Sequence, residues 1–193
     1  MIYLREIQHY TLEFDEESHT YLVDGIIVPS VTQLLKEQFG HKYDGVPEEI
    51  LKRASQRGTE VHEAIERYIK TGEETELPEM RGFKFLQKVY HFTPIESEVP
   101  VILFDKEPIA AGRLDLVLEM DGKIGGADIK RTAALDKEYL AYQLNLYRIA
   151  YKQSYGVEWQ FLKGIHLRDD KRKMVDIPIN EEKTMEFIKE IQR

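Results

Sequence analysis

The sequence predicts an α/β fold in which a central β-sheet is flanked by helices. A period-two pattern runs through three successive segments after Pro94: "ESEVPVILF", "IAAGRLDLVLEM" and "KIGGADIKR". Segments with helical periodicity precede and follow them, the arrangement of an α/β sandwich. The 193 residues, 42% hydrophobic and 32% charged, suit one globular domain with a buried core. Residues 1–45 form a small hairpin-and-helix extension and residues 46–193 the core of that domain.

From the N-terminus, "YTLEF", "HTYLV" and "IIV" read as short strands, with Asp24-Gly25 as a hairpin turn. "SVTQLLKEQFG" is a helix: Ser30 and Gln33 have capping-box spacing and Gly40 suits its end. A second helix is expected from Pro47 to Arg57, then a break at Gly58-Thr59. Thr59 caps a third helix, "EVHEAIERYIK", whose Val61, Ile65, Tyr68 and Ile69 form an apolar stripe ending at Gly72. "EETELPE" reads as a solvated loop and "RGFKFLQKVY" as a helix. After the three strands, a long helix spans about Leu135 to Tyr155 and stops at Gly156. "WQFLKGIHL" and "KMVDIPI" are two more strands, and Asn180 caps a terminal helix.

The net charge of −8 argues against a protein that coats nucleic acid by bulk electrostatics. It is compatible with an enzyme that meets phosphates through bound cations. One run, Arg148 to Lys173, is locally basic and marks either a basic face or a solvated surface. Without cysteine there are no disulfides and no thiolate-held metal or iron–sulfur cluster. No apolar run is long enough to span a bilayer, and Arg5 and Glu6 interrupt any signal-like core. A cytoplasmic protein without a membrane partner is the expectation.

The hairpin "AGRLDLVLEMDGKIGGADIKR" carries the chemistry. With Asp121-Gly122 as a two-residue turn, Met120 faces Lys123 and, counting back, Asp115 faces Asp128 and Arg113 faces Lys130. Leu114, Leu116 and Leu118 then share the opposite face. With residues 105–108 as a four-residue turn, Glu98 faces Asp115, so three strands present Glu98, Asp115 and Asp128 in one row beside Lys130. Facing like charges cost a sheet roughly 0.2–1 kcal/mol per pair. Burial would raise the carboxylate pKa values, and a divalent cation would restore the charged forms. A bulge at Gly125-Gly126 would turn the acids apart, and a surface hairpin with both acids in water is the other reading of these residues.

These residues resemble the RecB-type branch of the PD-(D/E)XK nucleases. Its elements occur in order: Gly58 to His62 as Gly-x-x-x-His, the strand residue Asp115, Asp128-Ile129-Lys130 as Asp-x-Lys, and Gln143 to Tyr147 as Gln-x-x-x-Tyr. Each motif alone is weak, and the ordered set is specific. "VPSVTQLL" is also similar to the first helix of small phage-type members. Leu114 stands where the family name has proline, a common variation.

The resemblance implies a restriction-endonuclease-like core. It implies a deoxyribonuclease, an exonuclease before an endonuclease, working from DNA ends in recombination, repair or phage DNA processing. The chain carries no motor of its own, so it would act alone or with a separate helicase or recombination partner. The implied ligands of Mg2+ or Mn2+ are His62, Asp115, Asp128 and the Ile129 carbonyl. Lys130 would orient or activate the attacking water, Glu98 would act through water, and Gln143 and Tyr147 would touch the substrate backbone and buttress the site. For His62, a position in the first helical turn disfavours the imidazolium by about 0.3–1 kcal/mol and so favours a metal-binding imidazole. The other histidines, His9, His19, His41, His91 and His166, read as packed or solvated. A non-catalytic DNA- or protein-binding module, or a metallohydrolase acting on nucleotides, would use the same residues differently.

Overall fold

The computed structural model describes residues 2–40 and 45–192, without the side chains of Glu37 and Gln38. His41 lies outside the described residues. The chain opens with an antiparallel sheet of β1 (Ile2–Ile7), β2 (Tyr10–Asp15), β3 (Thr20–Val23) and β4 (Ile26–Val28), in that order. Asp24 and Gly25 both have the positive φ that a tight hairpin turn demands. β1 is a strand that no alternation marks, because only Ile7 in it is buried. Leu12, Phe14, Tyr21 and Val23 form the inner face of this sheet and pack on Ile102 and Ala111 of the second sheet.

Helix α1 (Val31–Phe39) has the expected capping box: Ser30 Oγ accepts from the Gln33 N–H at 3.1 Å, and Gln33 Oε1 accepts from the Ser30 N–H at 2.7 Å. The two helices expected around Gly58-Thr59 are one. Helix α2 (Glu48–Thr71) runs through both residues, and Thr59 Oγ1, rather than capping, donates to the Ser55 carbonyl at 3.2 Å. A mid-helix glycine costs only about 1 kcal/mol. Burial of Val61, Ala64 and Ile65 on the sheet outweighs it, at roughly 1.5–3 kcal/mol for each large side chain. Helix α3 (Pro78–Tyr90) begins earlier than expected, with Pro78 in its first turn, so Glu79 belongs to the helix and not to a solvated loop.

The second sheet contains β5 (Thr93–Asp105), β6 (Glu107–Met120), β7 (Lys123–Lys130), β8 (Phe161–Arg168) and β9 (Lys171–Ile177), in sequence order. It is mixed: β7 and β8 are parallel and the other pairs antiparallel. The crossover between β7 and β8 is α4 (Lys137–Tyr155), capped by Asp136 and ended by Gly156 at φ 73°. Helix α5 (Glu181–Glu190) follows, with the Asn180 cap in place. Helices α2 and α3 cover one face, around Phe83, Leu116, Leu118 and Ile165. Helices α1, α4 and α5 cover the other, around Leu35, Leu144, Trp159 and Phe187.

The β6–β7 register is the expected one, with Met120 opposite Lys123 and Leu116 opposite Ala127, and no bulge interrupts it at Gly125-Gly126. Those glycines lie under aromatic rings instead. A Cβ on Gly126 would stand 2.0 Å from Trp159 Cζ3, and one on Gly125 would stand 2.4 Å from Phe161 Cδ2. The first half of the basic run is neutralised, whereas Lys171, Arg172 and Lys173 have no ion pair among the described residues. Arg148 is buried and paired with Glu158 and Glu181, Lys152 pairs with Glu158, and Lys163 with Asp176. Among the described residues, no helix is long and apolar enough to cross a membrane.

Gly126→Ala is expected to destabilise the protein by about 2 kcal/mol or more, because neither the ring nor the strand has room to move. Urea unfolding monitored by Trp159 fluorescence measures it, and an unchanged midpoint would contradict this packing.

Candidate functional site

The acids meet where the two long strands β5 and β6 lose their regular alternation. On β6, Leu114 packs in the α4 core, whereas Leu116 and Leu118 pack in the α2–α3 core. The single face expected for these three leucines is therefore split, and the change occurs at Asp115. Opposite, between the pairs Ser97–Leu116 and Val99–Leu114, Glu98 has φ 51°, a left-handed conformation that a non-glycine residue rarely holds inside a strand. The register between these strands is the expected one from Glu96 to Leu103, and it shifts at Phe104 into a tighter turn around Lys106.

The β6–β7 ladder ends at Leu116–Ala127, one residue before the two aspartates. Beyond that point the Asp115 side chain takes the place of the next backbone acceptor: its Oδ2 accepts from the Ile129 N–H at 2.6 Å. Arg113 consequently does not face Lys130. Its Nε lies 2.9 Å from Glu98 Oε2, and its guanidinium sits 5.1 Å from the centre of the Phe14 ring. This tether of Glu98 is the site feature that the hairpin counting missed. The arginine was visible in the sequence, but its partner is on the other neighbouring strand.

His62 enters from α2. It lies mid-helix, so the first-turn dipole expected to favour its neutral form does not act on it. Its Nδ1 is 3.4 Å from Glu98 Oε1 and 3.7 Å from Asp115 Oδ1, and its Nε2 is 3.2 Å from the Ile129 carbonyl. Both ring nitrogens thus face acceptors, an arrangement that suits the imidazolium. Burial opposes that charge, but Asp115, Glu98 and Asp128 outweigh it and bring the pKa up to about 9. Burial also raises Asp115, against the pull of His62. Asp128 is raised to about 6, first by burial and then by Asp115.

One ligand atom each from His62, Glu98 and Asp115 lies within 4.8 Å of the others, a spacing that one divalent ion can bridge. Asp128 stands beside this group and is only 2% exposed, with Oδ2 2.6 Å from Lys130 Nζ and Oδ1 without a hydrogen-bond partner. A buried carboxylate oxygen with no donor is costly unless a cation meets it. One imidazole with carboxylate oxygens suits Mg2+ or Mn2+, the imidazole tilting the choice toward manganese. The donor set fits such an ion, but its members differ from those expected: Glu98 comes directly into the cluster instead of standing off behind water, Asp128 stands beside it on Lys130, and the Ile129 carbonyl faces His62 Nε2.

Lys130 is buried along its stem. Burial opposes its charge, but Asp128 and Asp115 hold its pKa above the usual lysine value. It is an ammonium here, able to donate hydrogen bonds but not to take a proton. Gln143 and Tyr147 are each 4% exposed, within the packing of α4 on the sheet, so neither offers its side chain to a substrate backbone. Tyr147 supports the site from below: a Cβ on Gly112 would come within 2.9 Å of its ring. Of the other described histidines, His166 bonds the Thr132 carbonyl at 2.7 Å, and His19 packs edge-on to Phe14.

Behind the site, Glu79 is fully buried. Its Oε1 accepts from Arg131 Nε at 2.7 Å and from the Asp169 N–H at 3.1 Å, and its Oε2 accepts from Arg57 at 3.3 Å. This network ties α2, α3 and the β8–β9 turn to the residue that follows Lys130. The sequence alone suggests a solvated loop at Glu79, and no local signal marks it as buried.

No protein-family model matches the chain, and no curated protein matches it. Among solved structures it is similar to the crystal structure of SSO0001, at 13% identity and a TM-score of 0.50, over 86% of this chain and 74% of that one. At that identity the likeness is one of fold: an α/β protein with a mixed sheet between helices.

Mn2+ is expected to raise the thermal unfolding temperature of the wild-type protein, and Asp115→Ala or His62→Ala to abolish that rise. Because His62 must give up its proton to bind an ion, Mn2+ affinity should increase as pH rises through the window from about 6 to about 9 set by Asp128 and His62. Calorimetric titration across that range measures it, and a pH-independent affinity would show that these groups are not the ligands.

Proposed function

We propose that this protein is a divalent-metal-dependent deoxyribonuclease that hydrolyses phosphodiester bonds, built on a restriction-endonuclease-like core and acting as an exonuclease from DNA ends. The observation that carries the reading is the convergence of Glu98, Asp115 and Asp128, inside a protein of negative net charge, on one histidine and one lysine. Structural needs alone do not bring three carboxylates together at such cost.

A Mg2+ or Mn2+ ion held by His62, Glu98 and Asp115, with Asp128 beside it, would polarise the phosphoryl oxygen and lower the pKa of a bound water. The protein groups supply the rest. Lys130, kept as an ammonium by Asp128, donates to the attacking water or to the phosphate oxygen on which negative charge grows. Because it holds its proton, it orients the nucleophile and does not act as its base. Arg113 keeps Glu98 turned toward His62. Tyr147 and Gly112 set the height of β6 against α4, and hence the position of Asp115. The ordered motifs from Gly58 to Tyr147 support the same reading independently of the geometry.

The decisive assay incubates end-labelled linear DNA and closed circular DNA with the protein in Mn2+, Mg2+ or EDTA. Loss of linear DNA alone, only with metal, is the expected result. Lys130→Met should slow it by about 100-fold or more, the cost of removing one charge-stabilising donor. Asp128→Ala should stop it. Cutting of circles would make the enzyme an endonuclease. A folded, Mn2+-binding protein that cuts neither substrate would overturn the nuclease reading in favour of a binding module.

A further inference from the structure

His62 sits at the point where α2 leaves the core. None of residues 48–60 is buried, and the first side chain of the helix to pack on the sheet is Val61, next to His62. Across the candidate metal centre, β7 ends at Lys130, and residues 131–136 cross to α4 without regular structure. The groups that would share one ion thus stand at the ends of the packed parts of their elements. Hydrophobic burial holds each of them from one side only.

Glu79 joins these two ends. Its carboxylate, fully buried at the start of α3, accepts through Oε2 from Arg57 on α2 at 3.3 Å and through Oε1 from Arg131, the residue after Lys130, at 2.7 Å. The Asp169 N–H adds a donor to Oε1 at 3.1 Å, and Asp169 Oδ1 accepts from Arg131 at 2.7 Å. Among the described residues, the bond from Arg57 to Glu79 is the side-chain hydrogen bond by which the unburied half of α2 reaches another element. A buried carboxylate between two arginines contributes little net stability, since packed apolar side chains of similar volume serve as well or better. What it supplies is a fixed separation, because such bonds hold a direction as well as a contact.

We propose that Glu79 is a positioning residue of the metal centre: by holding Arg57 and Arg131 it fixes the spacing between His62 on α2 and the Asp128–Lys130 end of β7, and so sets which cation the site prefers. The inference rests on the nuclease reading and adds to it a residue outside the motifs. The spacing under control is short, with His62 Nε2 3.2 Å from the Ile129 carbonyl. Ca2+ takes oxygen ligands in flexible arrangements, whereas Mn2+ also draws on the imidazole. A site whose two halves drift apart therefore loses Mn2+ before it loses Ca2+.

Calorimetric titration of Mn2+ and of Ca2+, at one pH and at a temperature where near-UV circular dichroism shows each protein to be folded, tests this. Glu79→Gln keeps the size and an acceptor but removes the charge that holds two arginines. It should weaken Mn2+ binding by about tenfold or more, the usual cost of losing an outer support of a metal site, and Ca2+ binding by less. Arg57→Met, at a partly exposed side chain, removes the α2 arm alone without threatening the fold and should shift the Mn2+-to-Ca2+ ratio in the same direction. Arg148→Met breaks the ion pairs to Glu158 and Glu181 on the α4–α5 side; as a control for lost stability it should leave the ratio unchanged. An unchanged ratio in Glu79→Gln and Arg57→Met, or an equal shift in Arg148→Met, would overturn the positioning role. Metal-dependent cutting of DNA in that case would leave the nuclease reading standing. A folded wild-type protein that bound neither ion would remove both.

Discussion

Holding three carboxylates together out of water is the constraint on which the rest of this structure depends. A buried carboxylate without a partner costs several kcal/mol, and neighbouring like charges add to that cost. The protein meets the demand with one cationic group per acid, each from a different place. Arg113 serves Glu98 within the sheet, His62 reaches Asp115 and Glu98 from α2, and Lys130 serves Asp128 from two residues along β7. The Ile129 N–H adds a neutral donor to Asp115. Without an ion the cluster is nearly balanced, and the proton on His62 is the part that a divalent cation would replace.

Such a balance lasts only if none of the strands can slide. The five-stranded sheet is covered on both faces, and large side chains seat directly on glycines of its inner strands. Trp159 lies on Gly126, Phe161 on Gly125, Leu140 on Gly164 and Tyr147 on Gly112. A glycine beneath a ring allows a closer approach than any side chain would, so these contacts lock position as well as bury area. Glu79 does the same job with charge, pinning Arg131 just past Lys130.

Much of the fold was legible because its signals are local. Capping at Ser30 and Asn180 and termination at Gly72 and Gly156 depend on residues within one helical turn. The break expected at Gly58-Thr59 failed for the complementary reason. A glycine weakens a helix by an amount that depends on its neighbours alone, whereas the burial of Val61 and Ile65 on a sheet formed fifty residues later decides the outcome. β1 left no trace because its outward residues include Ile2 and Leu4, so the polar half of the alternation is missing.

For the site, the sequence by itself determined that Asp115 and Asp128 come close. The Asp121-Gly122 turn sets the β6–β7 register as far as Leu116–Ala127, and the two aspartates follow directly beyond that pair. The tertiary structure decided how they meet. It turned β6 over at Asp115 and put Glu98 in a left-handed conformation. It drew Arg113 to β5 instead of β7, and joined Arg57 and Arg131 through Glu79. A period of two describes a strand in isolation. A reversal of its faces is stabilised only when helices on both sides of the sheet supply separate cores for Leu114 and Leu116, and that information lies in α2, α3 and α4 rather than in the strand.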